Sequence, residues 1–360
     1  MTQSLPARRS PSPFRLKFAA AASRLSLPLM ARIPDPVKRL MLGRRSITIE
    51  GNTLDTTLQL MLNAQRLSGV DGLVASDDVD VARNQLDSVA SALSAPVVVP
   101  VRDFTIPGPA GALPVRHYAA EPGAPLLVFF HGGGFVVGSL DTHEGLCRRI
   151  CHDAGVHVLS VDYRLAPEHK APAAGEDCLA AYRWSVEHVG ELGADPRRIA
   201  VGGDSAGGNL AAVVTQAARD TGLALPILQL LIYPMVDPQG ETVSRTLFAD
   251  GYFLTKADID WFNTHYIGGA DISPTDVRVA PLRATDLSGL SPALVLTAGF
   301  DPLRDEGAAY GAALAAAGVP VDLREYGSLT HGFVNFFPLG GGSDVALTDL
   351  TSALRAHLSR

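Results

Sequence analysis

The chain has 360 residues, of which 47% are hydrophobic, 19% charged and 6% aromatic, with a net charge of -7 and three cysteines. So much apolar content at so little net charge excludes a disordered chain, because enough surface can be buried to offset the ordering entropy. Cys147, Cys151 and Cys178 are too few, and odd in number, for a disulfide scaffold, and they fit a reducing compartment such as the cytoplasm.

Residues 1–46 hold ten Lys or Arg against one acid, Asp35, a balance of +9 that leaves -16 for the remainder. The apolar run 18–22 is too short for the core of a signal peptide and is closed by Arg24. Arg8-Arg9 is followed by prolines 11 and 13 instead of a long apolar core, which argues against a twin-arginine signal. The segment therefore reads as a solvated tail leading into a helix, with peripheral contact to anionic lipid or an acidic partner as the alternative. No basic stripe or known module points to nucleic acid. The longest uncharged stretch, 122–140, is broken by Pro125 and three glycines and is no transmembrane segment.

From 55 to 94 the pattern is helical, with Leu58, Leu60, Met61, Leu62 and Leu67 recurring at spacings of three and four. Beyond Pro96 short β-rich runs appear at 97–104, 113–118, 126–130, 156–161, 198–201, 227–233, 293–297 and 321–326. Helix-length segments at 143–154, 174–189, 206–220, 303–317 and 345–358 alternate with the later runs. Such alternation predicts right-handed crossovers and a mostly parallel sheet with helices on both faces. The first two runs have no helix between them, so the sheet is expected to start antiparallel. The stretch 237–286 is too long for one crossover and holds six of the 23 aromatics, which suits a lid or pocket wall.

The chemistry centres on Gly203-Asp-Ser-Ala-Gly207, set between an apolar run and a helix. A serine hydroxyl must be raised clear of the sheet and deprotonated to act as a nucleophile, and flanking glycines permit the tight turn that does so. The competing reading is an ordinary βα turn with Ser205 as N-cap. His131-Gly-Gly-Gly-Phe135 follows the 126–130 run in the same way, and its bare backbone N–H groups suit an oxyanion hole. Gly133, Gly134 and Ala206 are the expected donors, with Gly132 in the same turn. The base should follow the serine. His331 lies just past the last β run, whereas His265 falls in the aromatic insertion and His357 in the terminal helix. For the acid, Asp301 follows 293–299 directly and ranks ahead of Asp305 and Glu306, which fall a turn into the next helix; Asp301 also reads as a natural N-cap.

These motifs carry a resemblance. Together with Asp162-Tyr-Arg-Leu-Ala-Pro-Glu168, Asp301-Pro-Leu-Arg-Asp-Glu-Gly307 and His331-Gly-Phe333, they resemble the bacterial hormone-sensitive-lipase-like esterases of the α/β-hydrolase superfamily over about 97–358. The resemblance implies an α/β-hydrolase fold with an eight-stranded, mostly parallel sheet and a helical cap. It also implies Ser205, Asp301 and His331 as the triad, hydrolysis of esters with short to medium acyl chains, and no metal or cofactor. Residues 1–46 then form a basic tail or cap start, 47–95 one cap part, 96–240 and 276–360 the catalytic domain, and 241–275 the second cap part. Phe135, Tyr252, Phe253, Trp261 and Phe262 are candidate substrate contacts, although cap aromatics equally serve as the cap's own core. Asp162–Glu168 reads as a loop bracing the site. The expected partner is a small ester, and a homodimer is left open. An amidase, thioesterase or lactonase with the same triad, a ligand receptor on the same scaffold that has lost its chemistry, and a membrane-recruited protein are the competing readings.

Overall fold

The computed structural model describes residues 30–93 and 97–359, so the 18–22 run and Arg8-Arg9 lie outside the described residues. The described chain opens with helix α1 (Asp35–Met41) and a small hairpin, β1 (Thr48–Ile49) and β2 (Asn52–Thr53). Helices α2 (Thr56–Leu67) and α3 (Val79–Ala92) follow. Each begins at an aspartate, Asp55 or Asp78, whose carboxylate accepts two otherwise unsatisfied backbone N–H groups of the first turn. The helical region expected at 55–94 is thus two helices joined by a turn.

The sheet is built from β3 (Val101–Gly108), β4 (Gly111–Tyr118), β5 (Leu126–Phe130), β6 (His157–Val161), β7 (Ile199–Asp204), β8 (Gln229–Ile232), β9 (Ala293–Phe300) and β10 (Val321–Thr330). Its order is β10-β9-β8-β7-β5-β6-β4-β3. Strands β3 and β4 pair antiparallel, as do β4 and β6, and the other neighbours are parallel. Helices α4 (Glu144–Ala154), α5 (Ala173–His188), α6 (Ala206–Thr221), α9 (Arg304–Ala316) and α10 (Gly341–Leu358) cover both faces, while α7 (Val243–Leu247) and α8 (Lys256–Tyr266) lie in the insertion. All five residues of β5 are buried, as a strand covered on both sides requires. Leu126, Val128 and Phe130 belong to the core layer that includes α5, α6 and α9, and Leu127 and Phe129 to the layer that includes α4 and α10.

The strand ends depart from expectation in a way that matters. Strand β3 begins at Val101, four residues later than the sequence suggests, and Val98 before it is 89% exposed. Conversely β7, β9 and β10 run three or four residues further than predicted because ladder partners persist, Asp204 opposite Ile232 and Thr330 opposite Phe300. Asp204, Asp301 and His331 thereby sit at, or one residue past, the carboxyl ends of buried parallel strands, where α/β sheets carry their ligand crevices.

The insertion and the N-terminal helices meet through polar bonds. The Asp258 carboxylate accepts the N–H groups of Leu73 and Val74 at 2.9 and 3.1 Å, and Arg66 donates to the Gly251 carbonyl at 2.9 Å. The insertion is tied to α9 by Glu306, which is buried, accepts the Val236 N–H at 2.8 Å and pairs with Arg245 at 2.7 Å. Burial pushes the Glu306 carboxyl up to about 7 against the opposing pull of the Arg245 guanidinium and the Val236 amide. Asp305 likewise turns to the insertion and accepts the Ser244 N–H at 2.8 Å.

Candidate active site

Ser205 stands at the turn between β7 and α6 with φ 57° and ψ -115°, a backbone conformation that costs of order 1–3 kcal/mol and persists only where the surroundings enforce it. The close approach of α6 to β5 enforces it here. A Cβ placed on Gly207 would overlap the carbonyl oxygen of Phe130, so only glycine lets the helix start this near the strand. Ser205 occupies the N-cap position, yet its hydroxyl makes no capping bond. It lies instead 2.9 Å from Nε2 of His331.

His331 follows the last residue of β10 and is 4% exposed. Its Nδ1 lies 2.8 Å from Oδ2 of Asp301, which is fully buried. An ionised carboxylate only accepts, so Nδ1 carries the proton and Nε2 is left to accept the serine hydroxyl. The second Asp301 oxygen accepts the Leu303 N–H at 2.8 Å. Asp301 is therefore not the N-cap of α9, a place that Leu303 takes; it bonds the turn leading into that helix with one oxygen and orients the histidine with the other.

The glycine turn lies opposite. Among the described residues the backbone N–H groups of Gly133, Gly134 and Ala206 meet no protein acceptor. The N–H of Gly132 behaves differently and corrects the expectation for that residue: it donates to Oδ1 of Asp204 at 2.9 Å and is spent on holding the turn. Gly134 has φ 58°, and a Cβ there would overlap the ring of Phe262. That pairing seats the insertion directly on the turn.

Asp204 organises this side. Besides the Gly132 amide, its carboxylate meets Nε2 of His143 at 3.1 Å, the Tyr233 hydroxyl at 3.3 Å and the Asn335 amide at 3.3 Å. Burial works to raise the Asp204 carboxyl, but the neighbouring His143 and the Gly132 bond outweigh it and hold the group below the ordinary carboxylate range. His131 lies beneath, stacked on Tyr163 at 4.3 Å, and burial with His143 nearby pushes its imidazole down to about 3. The Tyr163 hydroxyl donates to the His131 carbonyl at 2.7 Å. From α3, Arg83 reaches the carbonyls of Val136 and Ala166 at 3.0 Å each and grips both oxygens of Glu168 at 2.8 Å. The segment from Asp162 to Glu168 thus buttresses the glycine turn from outside the cavity.

A cavity of about 990 Å³ opens above Ser205 and is lined by Gly132, Gly133, Gly134, His143, Asp204 and His331, with apolar walls from Leu86, Val89, Leu93, Phe253, Ile259 and Phe262. Of the five aromatic candidates, Phe253 and Phe262 line it. The other three do not. Phe135 is stacked on Tyr266 at 3.9 Å, Tyr252 packs on Phe248 and Phe300, and Trp261 packs on Phe262 and His265, so these rings are spent on core contacts. Sequence reasoning missed Asp204 as a site residue, although it stands inside the serine motif. It also missed His143 and Asn335, for which no local pattern exists. Among the described residues no group of three or more His, Cys, Asp or Glu side chains is arranged to hold a metal ion, and Cys147, Cys151 and Cys178 are buried free thiols.

Comparison with known proteins agrees with this architecture. The family model described as alpha/beta hydrolase fold matches residues 127–335. The chain is 56% identical over 336 residues to the carboxylic ester hydrolase LipN of Mycobacterium tuberculosis, covering 91% of this chain and 89% of that one. It is 38% identical over 290 residues to the ethyl acetate hydrolase of Pseudomonas putida, covering 78% and 91%. The hyperthermophilic esterase of the archaeon Pyrobaculum calidifontis superposes with a TM-score of 0.77 at 40% identity, over 84% of this chain and 98% of that one. The chain belongs to the α/β-hydrolase fold family, among its bacterial hormone-sensitive-lipase-like carboxylic ester hydrolases.

Proposed function

We propose that this ester hydrolase works through an acyl-enzyme on Ser205, with His331 as the base and acid, Asp301 as its orienting carboxylate, and esters of short- to medium-chain acids as substrates. The carrying observation is the unbroken line from Asp301 Oδ2 to His331 at 2.8 Å and on to Ser205 Oγ at 2.9 Å, at the floor of a cavity. Ser205 Oγ attacks the ester carbonyl while its proton passes to His331 Nε2. The amides of Gly133, Gly134 and Ala206 receive the oxyanion, and the positive end of α6 beneath the serine favours the same charge. The imidazolium protonates the departing alcohol, and water deprotonated by the same nitrogen then releases the acid. Asp301 holds the tautomer and stabilises the imidazolium without taking its proton.

The apolar walls from α3 and the insertion suit an acyl chain of modest length, and the two helical parts that supply them act as one cap. A small-molecule ester is the partner, and buried free thiols suit a reducing cytoplasm. Amides, thioesters and lactones pass through the same tetrahedral intermediate, so a substrate panel separates them from simple esters. The direct test is Ser205→Ala, assayed on chromogenic acetate-to-dodecanoate esters with circular dichroism as the folding control. Loss of turnover with an unchanged spectrum is expected. Undiminished turnover overturns the proposal, and a rate that climbs steadily to the longest chain overturns the substrate class.

A further inference from the structure

The segment before the sheet carries a surface that the ester chemistry does not use. On α1, Val37, Leu40 and Met41 stand at positions i, i+3 and i+4 and so share one helix face. They are 45%, 64% and 60% exposed, a clustering unlike the scattered apolar residues normal on a protein surface. The adjoining face is pinned: Lys38 is buried and donates to Thr57 Oγ1 at 2.8 Å, and Leu42, one turn further on, is buried as well. The apolar face is therefore held outward by the rest of the fold.

Basic residues accompany it along the chain. Arg32, Arg39, Arg44 and Arg45 are all exposed within the same 14 residues. The acids nearest in sequence are already engaged, Asp35 by Lys38 at 3.3 Å and Glu50 by Arg304 at 2.8 Å. Among the described residues no acid forms an ion pair with any of the four arginines. The first 29 residues add five basic side chains and no acid, so they cannot neutralise these arginines. Outside residues 1–46 the chain carries -16, which an anionic surface repels. Exposed aliphatic side chains with unpaired, exposed arginines on the same short segment, on a molecule otherwise acidic, match an anionic bilayer surface in both apolarity and sign.

We propose that α1 and its flanking arginines dock this protein on anionic lipid, with Val37, Leu40 and Met41 entering the headgroup boundary and Arg32, Arg39, Arg44 and Arg45 facing the lipid phosphates. This contact is peripheral, since no helix among the described residues is long and apolar enough to cross a membrane. It is independent of the proposed chemistry. A cationic residue at such a surface contributes about a five-fold gain in partitioning, so three together supply on the order of 100-fold.

The test uses the full chain, co-sedimented with phosphatidylcholine vesicles, with and without about one third phosphatidylglycerol. Partitioning onto the anionic vesicles at least about tenfold above the neutral ones is expected, falling steeply with added salt. Arg39→Glu, Arg44→Glu and Arg45→Glu together should reduce it about 100-fold or more, and Leu40→Asp with Met41→Asp about tenfold. Hydrolysis of a soluble short-chain ester should be unchanged in both variants, which reports folding separately. Equal partitioning onto both vesicle types, or undiminished partitioning of the charge-reversed variant, overturns the proposal. Binding that survives both variants but is lost on deleting residues 1–29 assigns it to the tail and also overturns it. So does a dimer, seen by sedimentation equilibrium without lipid, that Leu40→Asp with Met41→Asp dissociates, because the face is then a self-association surface.

Discussion

Two buried histidine–carboxylate pairs flank Ser205, and they do different things with the same groups. His331 and Asp301 are 2.8 Å apart, and the other histidine nitrogen faces the serine hydroxyl at 2.9 Å. His143 and Asp204 are 3.1 Å apart, but the other His143 nitrogen meets the Thr142 hydroxyl at 2.8 Å, which is itself tied to the Ser139 carbonyl at 2.9 Å. One pair ends on the Ser205 hydroxyl, with the cavity above it. The other ends on a closed loop, and its carboxylate spends a lone pair on the Gly132 amide at 2.9 Å. In the mechanism proposed above, the first pair can carry a proton because its outer nitrogen reaches a hydroxyl beside the cavity, whereas the second, without that reach, holds the glycine turn in place.

The largest expected effect sharpens that contrast. Asp301→Asn replaces an acceptor by a group that can favour the wrong histidine tautomer, and kcat on a short-chain ester should fall on the order of 10⁴-fold. Asp204→Asn should cost less, about 10²-fold, appearing in kcat with KM nearly constant, because it loosens the turn that presents Gly133 and Gly134 without removing the base. Steady-state kinetics of the two variants decide the matter. Equal losses would erase the distinction between carrier and scaffold.

A third pair, without a carboxylate, sets a baseline in the same protein. His117 and His157 share a contact of 3.0 Å at the β4–β6 boundary, remote from the serine in the chain and absent from the cavity wall. Burial, with His157 and Arg102 nearby, pushes His117 down to about 4. An unfolded histidine takes its proton near 6.5, so the neutral folded form is unpenalised above that pH. Stability is then lost as pH falls from about 6.5 toward about 4, by on the order of 2 kcal/mol. His117→Asn should make this limb shallower in urea unfolding between pH 7 and 4.5, with the buried His131 keeping part of it, while leaving ester turnover at pH 7 unchanged. Persistence of the same slope would move the acid sensitivity to another group.

The smallest effect tests the cavity wall. Phe262→Ala should lengthen the preferred acyl chain by a few carbons and shift relative kcat/KM between short and medium esters by about tenfold, since one or two methylenes' worth of pocket discriminates only weakly. Trp261→Ala should leave that preference in place, because its ring is turned to Phe262 and His265 and away from the cavity.

Most of the architecture and all of the serine–histidine–aspartate line can be read before any coordinates are seen. Ser205, Asp301 and His331 each follow an apolar run, and alternating strands and helices bring such positions to one edge of a parallel sheet. The errors have a common physical origin. Gly132 looks equivalent to its neighbours in sequence, but which way an amide points depends on Asp204 across 72 residues. Phe135, Tyr252 and Trp261 carry the right chemistry for a pocket, yet a ring's direction is set by what it stacks on: Tyr266 and Phe300 on other elements take the first two, and Phe262 and His265 on its own helix take Trp261. Strands β7, β9 and β10 outrun their apolar segments because pairing continues after hydrophobicity stops.

The overlap of a Gly134 side chain with the Phe262 ring has an evolutionary corollary. Positions 134 and 262 cannot vary independently: a side chain at 134 is blocked while phenylalanine remains at 262, whereas 262 can shrink at once. Substitution at these two sites is therefore path-dependent, with bulk leaving the cap before any enters the turn. A library randomising both together should recover non-glycine residues at 134 only in company with a small residue at 262.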